Sequence, residues 1–445
     1  MLAIVLGATL IPLNSTMIAV ALPAIGETFQ ANHGDLTLWL VTSYLLVNII
    51  LQSPAGKLGD MLGRRRAFGI GVGIFAVGVL MAIFIPLLSA VAISRMMMAT
   101  GGALIIPNAM ALLRIIVAEE RRSRVFGYFS AMMGASAAIG PLVGGFLIDL
   151  FGWKSIFLVN LPILLVSWVL VRAKMSSEFD PEQSQSEKSH FDFAGIGLLA
   201  FSLGILVIGM KFDGYWPFAS ILFCGLGLYY FTRWERKTAD PLIDLRLFRN
   251  VPFVVGGSIV GLHNLGMYAL LFQLPFWLKE SYHLEPLAIG QVLLSMTLFM
   301  VIFSFLGGRI AERIGSRATI LCGVIAGLIG MIILFLTAGS VSLSWMFFAL
   351  AWVGGGIGIV SGPTQSEAMS VIPPSQSGVA AGVLSTMRYL GGVIGITIIS
   401  TILSSTNSTQ MLMQNKLCFG IYVGAYFLAL LLALKLSKQA EVTHQ

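Results

Sequence analysis

The sequence predicts an all-α polytopic membrane protein with fourteen transmembrane helices, arranged as two six-helix bundles with two inserted central helices. Three observations lead to this prediction. The 445 residues are 57% hydrophobic but only 11% charged, and their mean hydropathy is +0.90. Soluble domains contain about 25% charged residues, so this chain has too few to cover a water-exposed surface. Long apolar stretches recur along the chain, and one loop motif occurs twice.

Each predicted span is a mostly apolar stretch of about 20 residues, the length that an α-helix needs to cross a bilayer. No cleavable leader is expected, because residues 2–22 are simply the first of many such stretches. The two stretches in the middle of the chain are the shortest. The predicted spans lie near residues 2–24, 37–56, 67–86, 88–113, 125–148, 153–172, 193–211, 216–232, 252–277, 287–308, 318–338, 343–367, 378–404 and 416–435.

Positive charge is distributed unevenly between the loops. Of the 27 Lys and Arg residues, 21 fall on one side of the predicted spans and 4 on the other, with Arg95 and Arg388 inside spans. Basic loops stay in the cytoplasm, so both termini are expected there, in a protein of the bacterial cytoplasmic (inner) membrane. The net charge of +7 is spread over alternate loops, which argues against a nucleic-acid partner.

Other function classes lack their usual residues. The three cysteines, at 224, 322 and 418, have no paired spacing, which supports neither disulfides nor a metal site. No GxxxxGK[ST] phosphate loop is present for ATP-driven transport. One histidine and no deep carboxylate lie within spans, too few groups for a membrane-embedded enzyme. No catalytic residue, metal or cofactor is therefore expected.

A repeat underlies the charge pattern. Residues 56–66 read GKLGDMLGRRR and residues 308–317 read GRIAERIGSR, and they align at a constant offset of 252. The chain is therefore predicted to contain an N-terminal bundle (1–172), a polar linker (173–192), an inserted helix pair with its following loop (193–250) and a C-terminal bundle (251–445). Repeated helical halves are typical of secondary transporters, whose halves rock around a central site.

The repeated loop is expected to act as a conformational latch. Gly56 is expected to admit a neighbouring helix, Gly63 to allow a tight turn, and Asp60 to accept hydrogen bonds from a helix N-terminus or an arginine. The predicted latch residues are Gly56, Lys57, Asp60, Gly63, Arg64 and Arg65, with Gly308, Arg309, Glu312 and Arg317 in the second copy.

Span 5 contains closely spaced glycines and one proline. Small residues let helices approach closely and proline kinks a helix, which together favour a hinge between the halves, although ordinary helix packing is the alternative. The hinge residues are Gly134, Gly140, Pro141, Gly144 and Gly145.

These motifs resemble the major facilitator superfamily and, within it, the fourteen-helix branch of drug:proton antiporters. The resemblance extends over nearly the whole chain. It implies a major-facilitator-like fold that exports small amphipathic compounds by alternating access in exchange for protons, with the proton gradient as the energy source. The implied partners are the lipid bilayer, a small-molecule substrate and protons, and a monomer is expected.

Four charged or titratable residues are candidates for roles inside the membrane. Arg95 resembles the arginine of span 4 in the family, although Met98 and Ala99 depart from the pattern that follows it. His263 is the only histidine in a predicted span and titrates in the useful range. Arg388 in span 13 and Asp35 before span 2 are further candidates. For each residue, a purely structural role is the alternative.

Span 1 departs from the antiporter branch, which usually has an aspartate where this chain has Asn14. An amide carries no proton, so a proton-independent facilitator, or an exporter of one metabolite such as a siderophore, stays open beside the antiporter. A non-transporting sensor or scaffold is the remote alternative. The residues predicted to line a substrate cavity could equally face neighbouring helices; they are Asn14, Tyr44, Asn48, Asn108, Asn264, Tyr268, Phe272 and Gln273.

Overall fold

The computed structural model describes residues 2–174, 192–209, 215–238, 243, 245–338, 342–372, 377–403 and 408–443. Nearly all of the predicted polar linker, residues 175–191, lies outside this part of the chain. The described residues contain fourteen long helices and no strand. In chain order the helices are α1 (Leu2–Phe29), α2 (Ser43–Leu62), α3 (Arg64–Phe84), α4 (Leu88–Ile116), α5 (Glu119–Phe151), α6 (Asn160–Lys174), α7 (Phe193–Gly209), α8 (Trp216–Glu235), α9 (Val251–Tyr282), α10 (Pro286–Ile314), α11 (Ser316–Thr337), α12 (Leu343–Ser370), α13 (Ser377–Ile402) and α14 (Ser408–Thr443).

Twelve helical segments in the described part of the chain are long and apolar enough to cross a membrane. The remaining two long helices are α7, with 17 residues, and α8, with 20, and they correspond to the two shortest predicted spans. The chain is a multi-pass integral membrane protein, which confirms the predicted fold class.

The chain divides into two compact units. The first comprises Met1–Ala31 and Leu38–Leu242, and the second comprises Asn32–Thr37 and Ile243–Gln445. The inserted helices α7 and α8 thus group with α1–α6. The short helix His33–Leu36 groups with the second unit, where the His33 ring stacks on Phe276 with 3.9 Å between centroids and its Nε2 lies 2.8 Å from Glu280 Oε1.

The inserted helices α7 and α8 pack as an antiparallel pair. A Cβ on Gly227 would lie 2.3 Å from Ser202 Oγ, so the two backbones are close at this point. At the start of α7, Asp192 Oδ1 accepts a hydrogen bond of 2.8 Å from Trp234 Nε1 near the end of α8. Small residues and one polar contact therefore join the pair.

The repeat seen in the loop motif continues into helix packing. A Cβ on Gly71 of α3 would lie 2.8 Å from the carbonyl oxygen of Gly101 on α4, and one on Gly323 of α11 would lie 3.0 Å from that of Gly356 on α12. Gly71 and Gly323 are 252 residues apart, whereas Gly101 and Gly356 are 255 apart. The two units therefore use the same glycine-mediated contact, with three extra residues before α12.

Replacing Gly71 with valine is expected to destabilise the protein, because the new side chain would meet the backbone of α4. Overpacking of this kind typically costs about 1–3 kcal/mol. The midpoint of thermal unfolding in detergent should fall for Gly71→Val. It should change little for Gly73→Val on the same helix, because a Cβ there meets nothing within 4 Å. Equal midpoints for the two variants would contradict this account of the α3–α4 contact.

Candidate functional site

Arg95 of α4 is completely buried in the first unit. Its Nη1 donates a hydrogen bond to Asn14 Oδ1 on α1, and its Nε donates one of 3.1 Å to the carbonyl oxygen of Leu40. The guanidinium also lies over the Tyr44 ring, 4.2 Å from its centroid. No carboxylate in the described part of the chain forms an ion pair with Arg95. Neutral oxygens and an aromatic face therefore hold this charge.

Two hydrogen-bond donors in this cluster have no partner among the described residues. They are Nη2 of Arg95 and Nδ2 of Asn14, and both are buried. An unsatisfied buried donor costs about 1–3 kcal/mol. A ligand atom that accepts hydrogen bonds would relieve this cost, so the Arg95–Asn14 cluster is the strongest candidate for a binding element in the first unit.

The cluster also explains why the departure at Asn14 matters. The side chains of Asn14 and Arg95 come from separate helices, and the structure makes them direct partners. An aspartate at this position would neutralise the guanidinium, whereas the amide supplies one oxygen and leaves the positive charge uncompensated. Asn14 therefore changes the electrostatics of the site as well as removing a proton carrier.

His263 of α9 is buried in the second unit. Its Nδ1 lies 3.0 Å from the carbonyl oxygen of Ile259, so this nitrogen carries the hydrogen and donates. The proton-accepting Nε2 is buried without a hydrogen-bond partner among the described residues. The ring packs against Tyr426 of α14 with 4.7 Å between centroids. His263 thus has a nitrogen that can take up a proton.

The first copy of the loop motif joins the end of α2 to α4. Gly63 lies between α2 and α3 with φ of +89°, a conformation that favours glycine. Arg64 Nη1 donates to the carbonyl oxygen of Gly56 at 3.0 Å and to Asn108 Oδ1 at 3.3 Å. The close helix approach expected at Gly56 occurs at Gly59 instead: a Cβ there would lie 1.8 Å from Asn108 Oδ1, whereas one on Gly56 would meet nothing within 4 Å.

The neighbouring latch residues differ in how they are placed. Arg65 Nη2 donates a hydrogen bond of 3.0 Å to the carbonyl oxygen of Arg172 on α6. Lys57 is half-buried. The side chain of Asp60, which was expected to accept hydrogen bonds here, lies outside the described residues.

The second copy keeps the turn but changes the contact. Gly315 has φ of +85°, like Gly63. Arg317 pairs with Glu367 of α12 at 3.3 Å, whereas Arg309 and Glu312 are exposed. Gly308, like Gly56, has nothing within 4 Å of an added Cβ. Because Glu367 lies 50 residues from Arg317, the sequence motif alone does not identify it as the partner.

The span 5 glycines pack α5 against α1. A Cβ on Gly140 would lie 1.9 Å from Thr16 Oγ1, and one on Gly144 would lie 3.1 Å from the carbonyl oxygen of Met17. Pro141 is inside the helix, Gly145 is buried and Gly134 is half-buried. The motif thus contacts α1 next to Asn14, and its role as a hinge stays a prediction.

Three predicted cavity residues make internal contacts. The side-chain amides of Asn48 and Asn264 donate to carbonyl oxygens four residues earlier in their own helices, at 2.9 and 2.8 Å. Gln273 of α9 donates to Asn415 Oδ1 at 2.6 Å and accepts from the Tyr422 hydroxyl at 2.8 Å, both on α14. These contacts hold helices together in the present conformation.

The remaining candidates are dispersed. Tyr268 and Phe272 stack on one another, 6.2 Å between centroids, along α9. Arg388 is half-buried and donates to Gln365 Oε1 at 3.5 Å. The backbone N–H of Asp35 donates to Asn32 Oδ1 at 2.8 Å, and Asn32 Nδ2 donates to the Asp35 carboxylate at 3.0 Å. This reciprocal cap gives Asp35 a structural task at the start of helix His33–Leu36.

Comparison with known proteins identifies the family. The model of the Major Facilitator Superfamily matches residues 4–396. The chain is 34% identical over 425 residues to the uncharacterized MFS-type transporter YvkA of Bacillus subtilis, covering 95% of this chain and 94% of the relative. It is 30% identical over 414 residues to the tetracenomycin C resistance and export protein of Streptomyces glaucescens, covering 91% and 76%.

A solved structure shares the fold. The crystal structure of a D-xylose-proton symporter matches with a TM-score of 0.72 at 13% identity, covering 97% of this chain and 96% of that one. At this identity the match shows the fold alone. Together with the family match, it shows that the chain belongs to the major facilitator superfamily and is a membrane transporter of that family.

Proposed function

We propose that this transporter is a secondary-active exporter of small amphipathic compounds, working by alternating access in exchange for protons. The observation that carries the proposal is the Arg95–Asn14 cluster. It places a positive charge and two unsatisfied donors among apolar helices, which suits a substrate with both polar and apolar parts. The direction of transport is supported by the similarity to the tetracenomycin C resistance and export protein.

Proton coupling is proposed to use His263. Asn14 carries no titratable group, so a carrier must lie elsewhere. His263 is a titratable side chain inside a span, and its Nε2 has no hydrogen-bond partner among the described residues. Proton uptake there would place a charge beside Tyr426, which favours a rearrangement of α9 against α14.

The repeated loop and span 5 are proposed to serve this cycle. The contacts of Arg64 and Arg317 are candidates for latches that break when each unit changes conformation. The glycines of span 5 are proposed as the hinge. We further propose a monomer in the bacterial inner membrane, with both termini in the cytoplasm, on the basis of the loop charges.

A second candidate keeps the fold and changes the coupling. Asn14 leaves the Arg95 cluster without a titratable partner, which favours a proton-independent facilitator. An exporter of one metabolite is supported by the relative from Streptomyces glaucescens, whose name assigns it a single compound.

Transport driven by an imposed pH gradient separates these two candidates. Purified protein in proteoliposomes, tested with a panel of amphipathic fluorescent dyes, should accumulate substrate when the gradient is imposed. Dissipating the gradient with an ionophore should remove that accumulation. If the gradient fails to drive any dye that the protein moves, the exchange of substrate for protons is wrong.

His263→Asn should reduce the pH-driven component at least tenfold, because an amide cannot carry a proton. The new amide can still donate to the Ile259 carbonyl, as Asn264 does to that of Val260, so the helix should be retained. His283→Asn, at an exposed position after α9, is the matched control and should transport like the parent protein. Unchanged pH-driven transport in His263→Asn would exclude the proposed carrier.

Arg95→Gln should reduce dye transport at least tenfold, while the thermal midpoint stays constant or rises. Removing a buried charge without an acidic partner relieves desolvation, so a functional arginine costs stability where it lies. Arg95→Lys retains the charge and should keep part of the activity. A midpoint that falls together with transport in Arg95→Gln would instead indicate a structural arginine.

A further inference from the structure

A basic groove lies on the outer surface of the first unit, between the start of α3 and the end of α6. It encloses about 270 Å³. Three arginines contribute to its wall, and the rest is mainly apolar and aromatic. The residues that define this groove are Arg65, Arg66, Phe68, Trp168, Val171 and Arg172.

The three guanidiniums lack a counter-charge. Arg65 Nη2 donates to the carbonyl oxygen of Arg172, and the Arg172 guanidinium lies 5.1 Å from the Trp168 ring centroid. No carboxylate in the described part of the chain forms an ion pair with Arg65, Arg66 or Arg172. Three like charges around one small volume repel each other, so an anion bound between them would be stabilising.

Apolar stripes continue from the groove along both helices. On α6, Leu165, Trp168 and Val169 are exposed and lie on the same helical face as Arg172. On α3, the exposed side chains of Ile70 and Val77 follow Arg66 at helical spacing. In a membrane protein, such outward apolar surface faces lipid acyl chains. The groove therefore joins a positive end to two lipid-facing stripes.

The position along the helices agrees with an interfacial ligand. Arg66 is in the first turn of α3 and Arg172 in the last turn of α6, at the membrane side whose loops collect most of the basic residues. Tryptophan is enriched at this depth, and basic pockets between membrane helices suit anionic head groups. A free inorganic anion would use the charges but leave the apolar stripes unused.

We propose that this groove binds an anionic phospholipid, with Arg66 and Arg172 contacting the phosphate and the acyl chains lying along the exposed faces of α3 and α6. Arg65 keeps its backbone contact with Arg172 and contributes charge. The site is separate from the Arg95–Asn14 cluster, and it holds whether or not the proposed export and proton exchange are correct.

Native mass spectrometry of the purified protein with phosphatidylglycerol or phosphatidylcholine tests this site. The parent protein should retain phosphatidylglycerol selectively. Arg66→Gln/Arg172→Gln should bind it at least tenfold more weakly, and Arg66→Lys/Arg172→Lys should largely restore binding. Arg249→Gln/Arg313→Gln removes the same charge from exposed positions on the basic side and should bind like the parent.

The controls separate a site from general attraction. Equal loss of phosphatidylglycerol in the two glutamine double variants would show diffuse electrostatics and overturn the proposal. If millimolar inorganic phosphate displaced the lipid completely, the apolar stripes would have no part in binding, and the proposed lipid site would also be wrong. Thermal unfolding of each variant without added lipid establishes that all are folded.

Discussion

The hydrocarbon core offers no water to hydrogen-bond the backbone, and the rest of this structure follows from that constraint. Each segment that crosses it must satisfy its own N–H and C=O groups, so the described chain is helical where it is apolar. Helices in lipid gain little from the hydrophobic effect and rely on close packing. The contacts of Gly71 with Gly101, and of Gly323 with Gly356, meet this need in both units.

The same constraint makes polar side chains inside the helices informative. Most of them satisfy themselves locally, as Asn48 and Asn264 do on their own helices, or across one contact, as Gln273 does with Asn415. Arg95 differs because its charge has no acidic partner in the described part of the chain. A buried charge held by neutral groups is costly, which is the physical ground for assigning it a functional role.

The two units share a scaffold but differ in chemistry. Gly63 and Gly315 adopt the same left-handed turn, because both loops must connect antiparallel helices over one residue. The arginine contacts beyond the turn have diverged. Arg64 reaches a buried amide, Asn108, whereas Arg317 pairs with the carboxylate of Glu367. Two latches of different strength would let the units respond unequally to the same change in the membrane.

The sequence by itself determined the class of protein, its helices and its internal repeat, since apolar length, loop charge and a motif at constant offset are one-dimensional signals. It also singled out Arg95, Asn14 and His263 as unusual. Only the tertiary structure decided their partners: that Asn14 contacts Arg95, that His263 packs on Tyr426, and that Asn108 belongs to the loop contact. Side chains on different helices meet through packing, and the separation along the chain carries no information about such contacts. The basic groove depends on the same fact, because Arg66 and Arg172 are neighbours only once α3 and α6 have packed together.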